Sequence, residues 1–221
     1  MKTAVLFSGG KDSCLALHLA KLEGYDVKYL LNVIPENEDS WMFHKPNLQL
    51  LGKQAELLDI ELIVMGSKGE KEKELADLKK LIEKIKGKVE GIVVGGIASS
   101  YQGNRIKKIC SQLSLKFIAP LWNFKSERVW KELLKRKFEV VLTKISCEGL
   151  DEKWLDKIID KNRFMELKKL AFKYDFRLDF EGGEAESAVL WMPEFKKHIK
   201  IKYDIKKEGK YRAFLNIKKV E

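Results

Sequence analysis

Only three cysteines occur in the 221 residues, Cys14, Cys110 and Cys147, and they form no C-x-x-C pair. That scatter excludes a disulfide framework and a four-thiolate metal site as organising devices. Isolated thiols suit a reducing compartment. No apolar run approaches the length that spans a membrane. The opening Met1-Lys2-Thr3 runs directly into strand-like residues instead of a signal peptide. A cytoplasmic location with no membrane partner is therefore the expectation. There are no internal repeats and no low-complexity segments. Acidic residues are outnumbered, 33 to 43, which leaves a formal charge of +10. Such an excess favours anionic partners (nucleotides, RNA or an acidic protein surface) without choosing among them. Lysine and glutamate enrichment also accompanies heat adaptation. The length and the 45% hydrophobic content allow one large domain or two small ones with a real core.

The stretch that organises the chain is Phe7-Ser8-Gly9-Gly10-Lys11-Asp12-Ser13. It follows the apolar run Thr3–Leu6 and leads into Cys14–Ala20, which reads as a helix. A strand, a glycine turn and a helix start make a phosphate-binding geometry. The first N–H groups of a helix lack intrahelical partners and lie at the positive end of its dipole. Two glycines let a ligand approach the backbone and supply unusual dihedrals. Ser8 and Ser13 add hydroxyls, and Lys11 adds a point charge suited to phosphate. Asp12 is placed to hold a magnesium ion or to fix the lysine. The commoner G-x-x-x-x-G-K-[ST] loop is absent, since it would need glycine at Val5 and a hydroxyl residue at Asp12.

Along the chain, strands are expected at 3–7, 27–33, 60–65, 91–94 and 116–120. Helices are expected between them at 12–23, 46–59, 72–86 and 100–113. Gly24 suits the left-handed cap of the first helix. Leu75, Leu78, Ile82 and Ile85 line one face of the third, and the surrounding lysines and glutamates read as its solvated side. This βαβαβαβαβ order predicts an α/β fold with a five-stranded parallel sheet and helices on both faces. Ligands of such sheets sit at the carboxyl ends of the strands. There Ser8–Ser13, Asn32–Ile34, Gly66–Ser67 and Gly95–Ala98 would share one rim. After Trp122 the rhythm changes. Helices are expected at 126–137, 151–159 and 161–173, with strands at 138–145, 187–192, 197–205 and 210–217. The expected division is an ATP-binding domain over 1–124 and a smaller C-terminal α+β domain over 125–221.

The S-G-G-x-D-S arrangement resembles the signature of the PP-loop (N-type) ATP pyrophosphatases, whose fold is the Rossmann-like, adenine-nucleotide alpha hydrolase type. Those enzymes split ATP to AMP and pyrophosphate. Further stretches are similar to the diphthine–ammonia ligases of archaeal type. They are Asp39–His44, Gly96–Arg105, Ala119–Trp122, Cys147–Asp151 and Phe180–Ser187, the last carrying an E-G-G-E run. The resemblance covers nearly the whole chain. It implies a ligase forming a C–N bond. ATP would adenylate the carboxylate of diphthine on translation elongation factor 2 with release of pyrophosphate. Ammonia would then displace AMP to give diphthamide. Ala185 and Ser187 stand where the family often has an aromatic residue and a threonine, a departure at the expected substrate contacts.

On that resemblance Ser8, Gly9, Gly10, Lys11, Asp12 and Ser13 would hold the ATP phosphates, with Asp12 as ligand to Mg2+. Asn32, Gly95 and Gly96 would meet adenine and ribose through the backbone, or be simple strand ends. Tyr101, Gln102 and Arg105 would face the acyl or protein side. His44 would accept the ammonium proton or touch substrate. Glu181, Glu184 and Glu186, around Gly182-Gly183, would orient ammonia or the trimethylammonium group. Lys11, Asp12, Arg105, Glu184, Glu186 and His44 form the expected catalytic set. Trp41, Trp122 and Trp191 would cup the quaternary ammonium or pack in cores. Cys147 has no partner base that would make it a nucleophile. Two other readings stay open, an RNA-modifying PP-loop enzyme and a non-catalytic adenine-nucleotide-binding protein. RNA binding and a homodimer both remain compatible with the sequence.

Overall fold

The computed structural model describes residues 1–35, 47–68, 71–95 and 100–221. The chain divides into two units, Met1–Trp122 and Asn123–Glu221. The whole Asp39–His44 stretch, with Trp41 and His44, and residues 96–99 of the Gly96–Arg105 stretch, with Gly96, lie outside the described residues.

The first unit alternates strands and helices. They are β1 (Lys2–Leu6), α1 (Lys11–Leu22), β2 (Asp26–Pro35), α2 (Leu48–Leu58), β3 (Glu61–Ser67), α3 (Lys71–Glu83), β4 (Gly91–Val94), α4 (Ser100–Gln112) and β5 (Lys116–Ile118). All pairings are parallel and the strand order is β3-β2-β1-β4-β5. The strands read as nearly unbroken apolar runs because both faces of such a sheet are covered. On one face Ala4, Leu31, Val33, Ile92 and Val94 pack with Leu78, Leu81 and Ile82 of α3, Ile106 and Ile109 of α4, and Ile85 and Leu113 just beyond the ends of those helices. Their strand neighbours Val5, Leu30 and Val93 are equally buried and point the other way, where α1 and α2 provide the cover. Glu74 departs from the solvated side expected of α3, being fully buried.

Helix ends follow local chemistry. Gly24 has φ +82° and its N–H donates to the Lys21 carbonyl at 3.0 Å, closing α1. α2 starts at Leu48 because the Asn47 side chain accepts from the Leu50 N–H at 2.9 Å. Asp59 ends it in the left-handed region with φ 57°.

The second unit holds α5 (Ser126–Lys135), β6 (Glu139–Ser146), α6 (Lys161–Tyr174), β7 (Ala185–Trp191), β8 (Ile201–Lys207) and β9 (Arg212–Val220). Its four strands are antiparallel in the order β7-β6-β9-β8. The helix expected over 151–159 does not form. Only a 3-10 turn, Glu152–Trp154, appears there, and Leu155 is already extended. The reason lies in β6, which pairs with β9 only at Lys144, Ile145 and Ser146. The rest of that edge needs partners. The segment supplies them: the Asp156 N–H donates to the Leu142 carbonyl at 3.1 Å, and the Ile159 N–H to the Val140 carbonyl at 2.9 Å. Tertiary pairing overrides the helical spacing of Trp154, Leu155, Ile158 and Ile159.

Candidate active site

In the order β3-β2-β1-β4-β5, connections from β1 and β4 run to opposite sides, so a crevice opens at their carboxyl ends. The Ser8–Ser13 loop leaves β1 at that point and Gly95 leaves β4 beside it. Gly10 is the N-cap of α1 with extended backbone (φ −80°, ψ 171°), and no side chain caps the helix. The end of α1 thus keeps its dipole and first-turn donors available to an anion.

Hydroxyls tie the loop together. Ser8 Oγ and Ser13 Oγ lie 3.1 Å apart, the Ser8 N–H donates to Ser13 Oγ at 3.2 Å, and Ser13 Oγ donates to the Gly10 carbonyl at 3.2 Å. Lys11 is 2% exposed, yet its Nζ donates to Asp12 Oδ2 at 2.7 Å. A buried ammonium needs a negative partner. Of the two roles open to Asp12, fixing the lysine is the one the contact displays.

Two buried amides pull loop carbonyls inward. Asn32 Nδ2 donates to the Phe7 carbonyl at 2.7 Å, and Gln54 Nε2, from α2, donates to the Gly9 carbonyl at 2.9 Å. In a trans peptide the C=O and the following N–H point opposite ways. Holding the Gly9 carbonyl inward therefore turns the Gly10 N–H away from Gln54. No motif in the sequence marks Gln54, since only the fold carries residue 54 to residue 9. Its polarity amid the apolar residues of α2 is the single hint.

Glycine is required at two places. Gly9 has φ +74°, and a Cβ there would lie 2.0 Å from Gln54 Oε1. Gly95 does not take a positive φ, but its Cβ would lie 2.8 Å from Ser13 N and 2.9 Å from Ser13 Cα. The exit of β4 thus abuts the backbone of the first turn of α1. This close-packed cradle of backbone donors, one buried lysine and hydroxyls fits a polyphosphate. For a metal the donor set is thin. Asp12 is the one carboxylate of the loop, and among the described residues no three His, Cys, Asp or Glu side chains gather into a metal-holding group. A magnesium ion that brings most of its ligands from phosphates and water fits such a site.

Tyr101, Gln102 and Arg105 fall in the first turns of α4, following the 96–99 segment after β4. Gly103 is accommodated within that helix and is buried. Arg105 is half-buried.

The acidic loop belongs to the second unit. Phe180 and Gly183 take positive φ, 64° and 82°, so the run is a tight turn and not a helix face. Glu184 is its clasp. Its Oε1 accepts from the Arg177 N–H at 3.1 Å and its Oε2 from the Gly182 N–H at 2.9 Å. A Cβ on Gly182 would lie 2.6 Å from Glu184 Oε1. Glu186, on β7, pairs with Lys144 of β6 at 3.1 Å, while Glu181 and the two glycines are exposed. Beneath the turn, Phe180 meets the buried Trp130 edge-on at 6.1 Å, and Trp130 stacks on Phe164 at 5.7 Å. Trp130 Nε1 donates to the Leu178 carbonyl at 2.8 Å, so the turn stands on a rigid base. Burial, with the Glu184 charge added, pushes the Cys147 thiol up to about 11. It is protonated at neutral pH and unsuited to nucleophilic attack. In the first unit Trp122 packs edge-on against Phe117 at 6.1 Å, and in the second Trp191 stacks on His198 at 5.4 Å.

The switch-point loop on a five-stranded parallel sheet defines a Rossmann-like α/β protein of the PP-loop class. The particular lineage comes from comparison. Residues 1–117 match the family described as "Diphthamide synthase N-terminal domain" and residues 125–221 match "Diphthamide synthase C-terminal domain". The chain belongs to the diphthamide synthase family. Relatives named diphthine–ammonia ligase include the human protein, 33% identical over 90% of this chain and 82% of its own length. The rat protein is 31% identical with the same coverage. That of Schizosaccharomyces pombe is 30% identical over 90% of this chain but 36% of its own, longer sequence. A solved Methanocaldococcus jannaschii structure, described as a predicted subunit of tRNA methyltransferase, has 19% identity and a TM-score of 0.48, covering 90% of this chain and 99% of that one. No helix among the described residues is long and apolar enough to cross a membrane.

Proposed function

We propose that this chain is an ATP-dependent diphthine–ammonia ligase acting on translation elongation factor 2. A diphthine carboxylate oxygen attacks the α-phosphorus of ATP, the bond to the β-phosphate bridging oxygen breaks, and pyrophosphate leaves. Ammonia then attacks the acyl carbon of the adenylate, AMP departs, and the surplus ammonium proton passes to a base. The observation that supports this reading most strongly is that both halves of the chain match the two domains of one family.

The residues of the first unit suit the first step. Lys11 supplies a fixed positive charge, and the α1 N-terminus supplies oriented N–H groups, where negative charge grows on pyrophosphate. The Ser8–Ser13 hydroxyl contact fixes the shape of the loop that would receive the phosphates. Asp12, partly exposed beside Lys11, is the carboxylate that would hold Mg2+. When bound, that ion neutralises phosphate charge. In this reading Asn32, Gly95 and Gly96 would meet adenine and ribose, and Tyr101, Gln102 and Arg105 of α4 would meet the acyl group. In the second unit Glu184 shapes the acidic turn, leaving Glu181 as its outward charge. Glu186 and His44 complete the proposed set for ammonium.

Mass analysis of elongation factor 2 from cells lacking this chain tests the reading. Accumulated diphthine, restored to diphthamide by the wild-type chain and not by Lys11→Ala, is the expected result. Fully amidated factor in those cells, with a tRNA modification missing instead, would move the chain to RNA chemistry.

A further inference from the structure

The inner side of α6 is spent on its own core. Phe164, Leu167 and Ala171 are buried there. On the outer side Phe172 is 93% exposed and Met165 55% exposed. They are seven residues apart, so at about 100° per residue they stand almost in line, roughly 10 Å apart along the axis. The same geometry sets Lys161 and Lys168 along one flank of this stripe and Lys169 and Lys173 along the other, all of them exposed. Glu127 of α5 accepts from Lys168 at 2.9 Å. Lys173 lies over the Tyr174 ring at 4.9 Å. Glu166 is the one acid on the exposed side of the helix.

An aromatic residue and a methionine at the centre, ringed by charge, have the anatomy of a protein–protein interface. The charge decides the partner. A second copy of this chain carries +10 and would set lysine against lysine, a juxtaposition that disfavours pairing. Single-stranded RNA would satisfy the lysines, but such sites offer a groove with successive stacking platforms. Here one aromatic ring stands on a convex helix beside a methionine. An acidic protein surface with an apolar pocket answers both features.

We propose that the Met165–Phe172 face of α6 docks an acidic protein surface and that this protein is the acceptor of the ligation. Both clauses rest on the function proposed above, since the acceptor it names is the partner on which they are tested.

The test uses the full chain and purified elongation factor 2 bearing diphthine. Binding is measured directly, and AMP formation separately. Wild-type binding weakens as salt rises. Phe172→Glu weakens it about tenfold or more, as loss of an anchoring aromatic does, and Lys169→Glu weakens it in the same direction. Phe172→Leu retains most of it, and ATP affinity is unchanged in all three. These positions are exposed, so folding is not at stake. Absence of wild-type binding, or equal binding by Phe172→Glu and Lys169→Glu, overturns the proposal. So does a loss confined to tRNA binding or to self-association. Binding through α6 without ammonium-dependent AMP would keep the docking face and refute the acceptor clause.

Discussion

Gly9 and Gln54 offer a sharp test of how the loop is built, because each is explained by the other. Replacing Gly9 with alanine has two consequences. A non-glycine residue at φ +74° costs about 1–2 kcal/mol. The new Cβ, 2.0 Å from Gln54 Oε1 and 3.0 Å from its Cδ, also expels the amide. The buried Gly9 carbonyl then loses its donor, at about 1–3 kcal/mol. Gly9→Ala alone should therefore cost about 2–5 kcal/mol. Gln54→Ala alone removes the same hydrogen bond, for about 1–3 kcal/mol. In the double variant the bond is lost once and the clash is gone, so only the dihedral cost is added. The double should be no worse than Gly9→Ala, a coupling of about 1–3 kcal/mol between the two sites. The assay is denaturant unfolding with the slope checked for constancy. Additive losses would refute the claim that Gln54 fills the space a side chain at position 9 would need.

Other positions give further expected outcomes. Gly95→Ala forces a Cβ to within 2.8 Å of Ser13 N, where backbone and not a flexible side chain must give way; it should lose about 1–3 kcal/mol in unfolding experiments, as overpacking does. The exposed Gly52 of α2, with nothing near its Cβ position, should instead gain about 0.5–1 kcal/mol on becoming alanine. Cys147 should resist alkylation at neutral pH and react as pH approaches about 11, followed by site-resolved mass spectrometry. Its thiol is raised above the ordinary 9.0 by burial first and Glu184 second. The associated stability is thus complete below pH 9.0 and lost as pH rises through about 11. Glu184→Gln should shift the alkylation profile to lower pH, and an unmoved profile would contradict the assigned cause.

How much of this was legible in the sequence depends on range. The five parallel strands and the Ser8–Ser13 loop are written locally, in apolar runs and glycines whose meaning needs no distant partner. The lost helix at 151–159 shows the opposite case. Leu155 and Ile159 have helical spacing, but an open edge of β6 claims their segment, and that edge exists only once β9 has paired short. Gln54 was illegible for the same reason, lying 45 residues from the carbonyl it holds. Glu184 was visible as an acid in an unusual motif. Its part as the clasp of the turn depends on where the fold brings the Arg177 and Gly182 N–H groups.

The central claim is that the chain couples ATP cleavage to amide formation on a diphthine carboxylate. Its most direct test is to quantify AMP made by the purified chain with ATP, magnesium, ammonium and diphthine-bearing elongation factor 2. AMP, pyrophosphate and amidated factor should form in equal amounts, with amide formation abolished by omission of ammonium and all products lost in Lys11→Ala. AMP formation that ignores the factor, or that requires tRNA in its place, would contradict it.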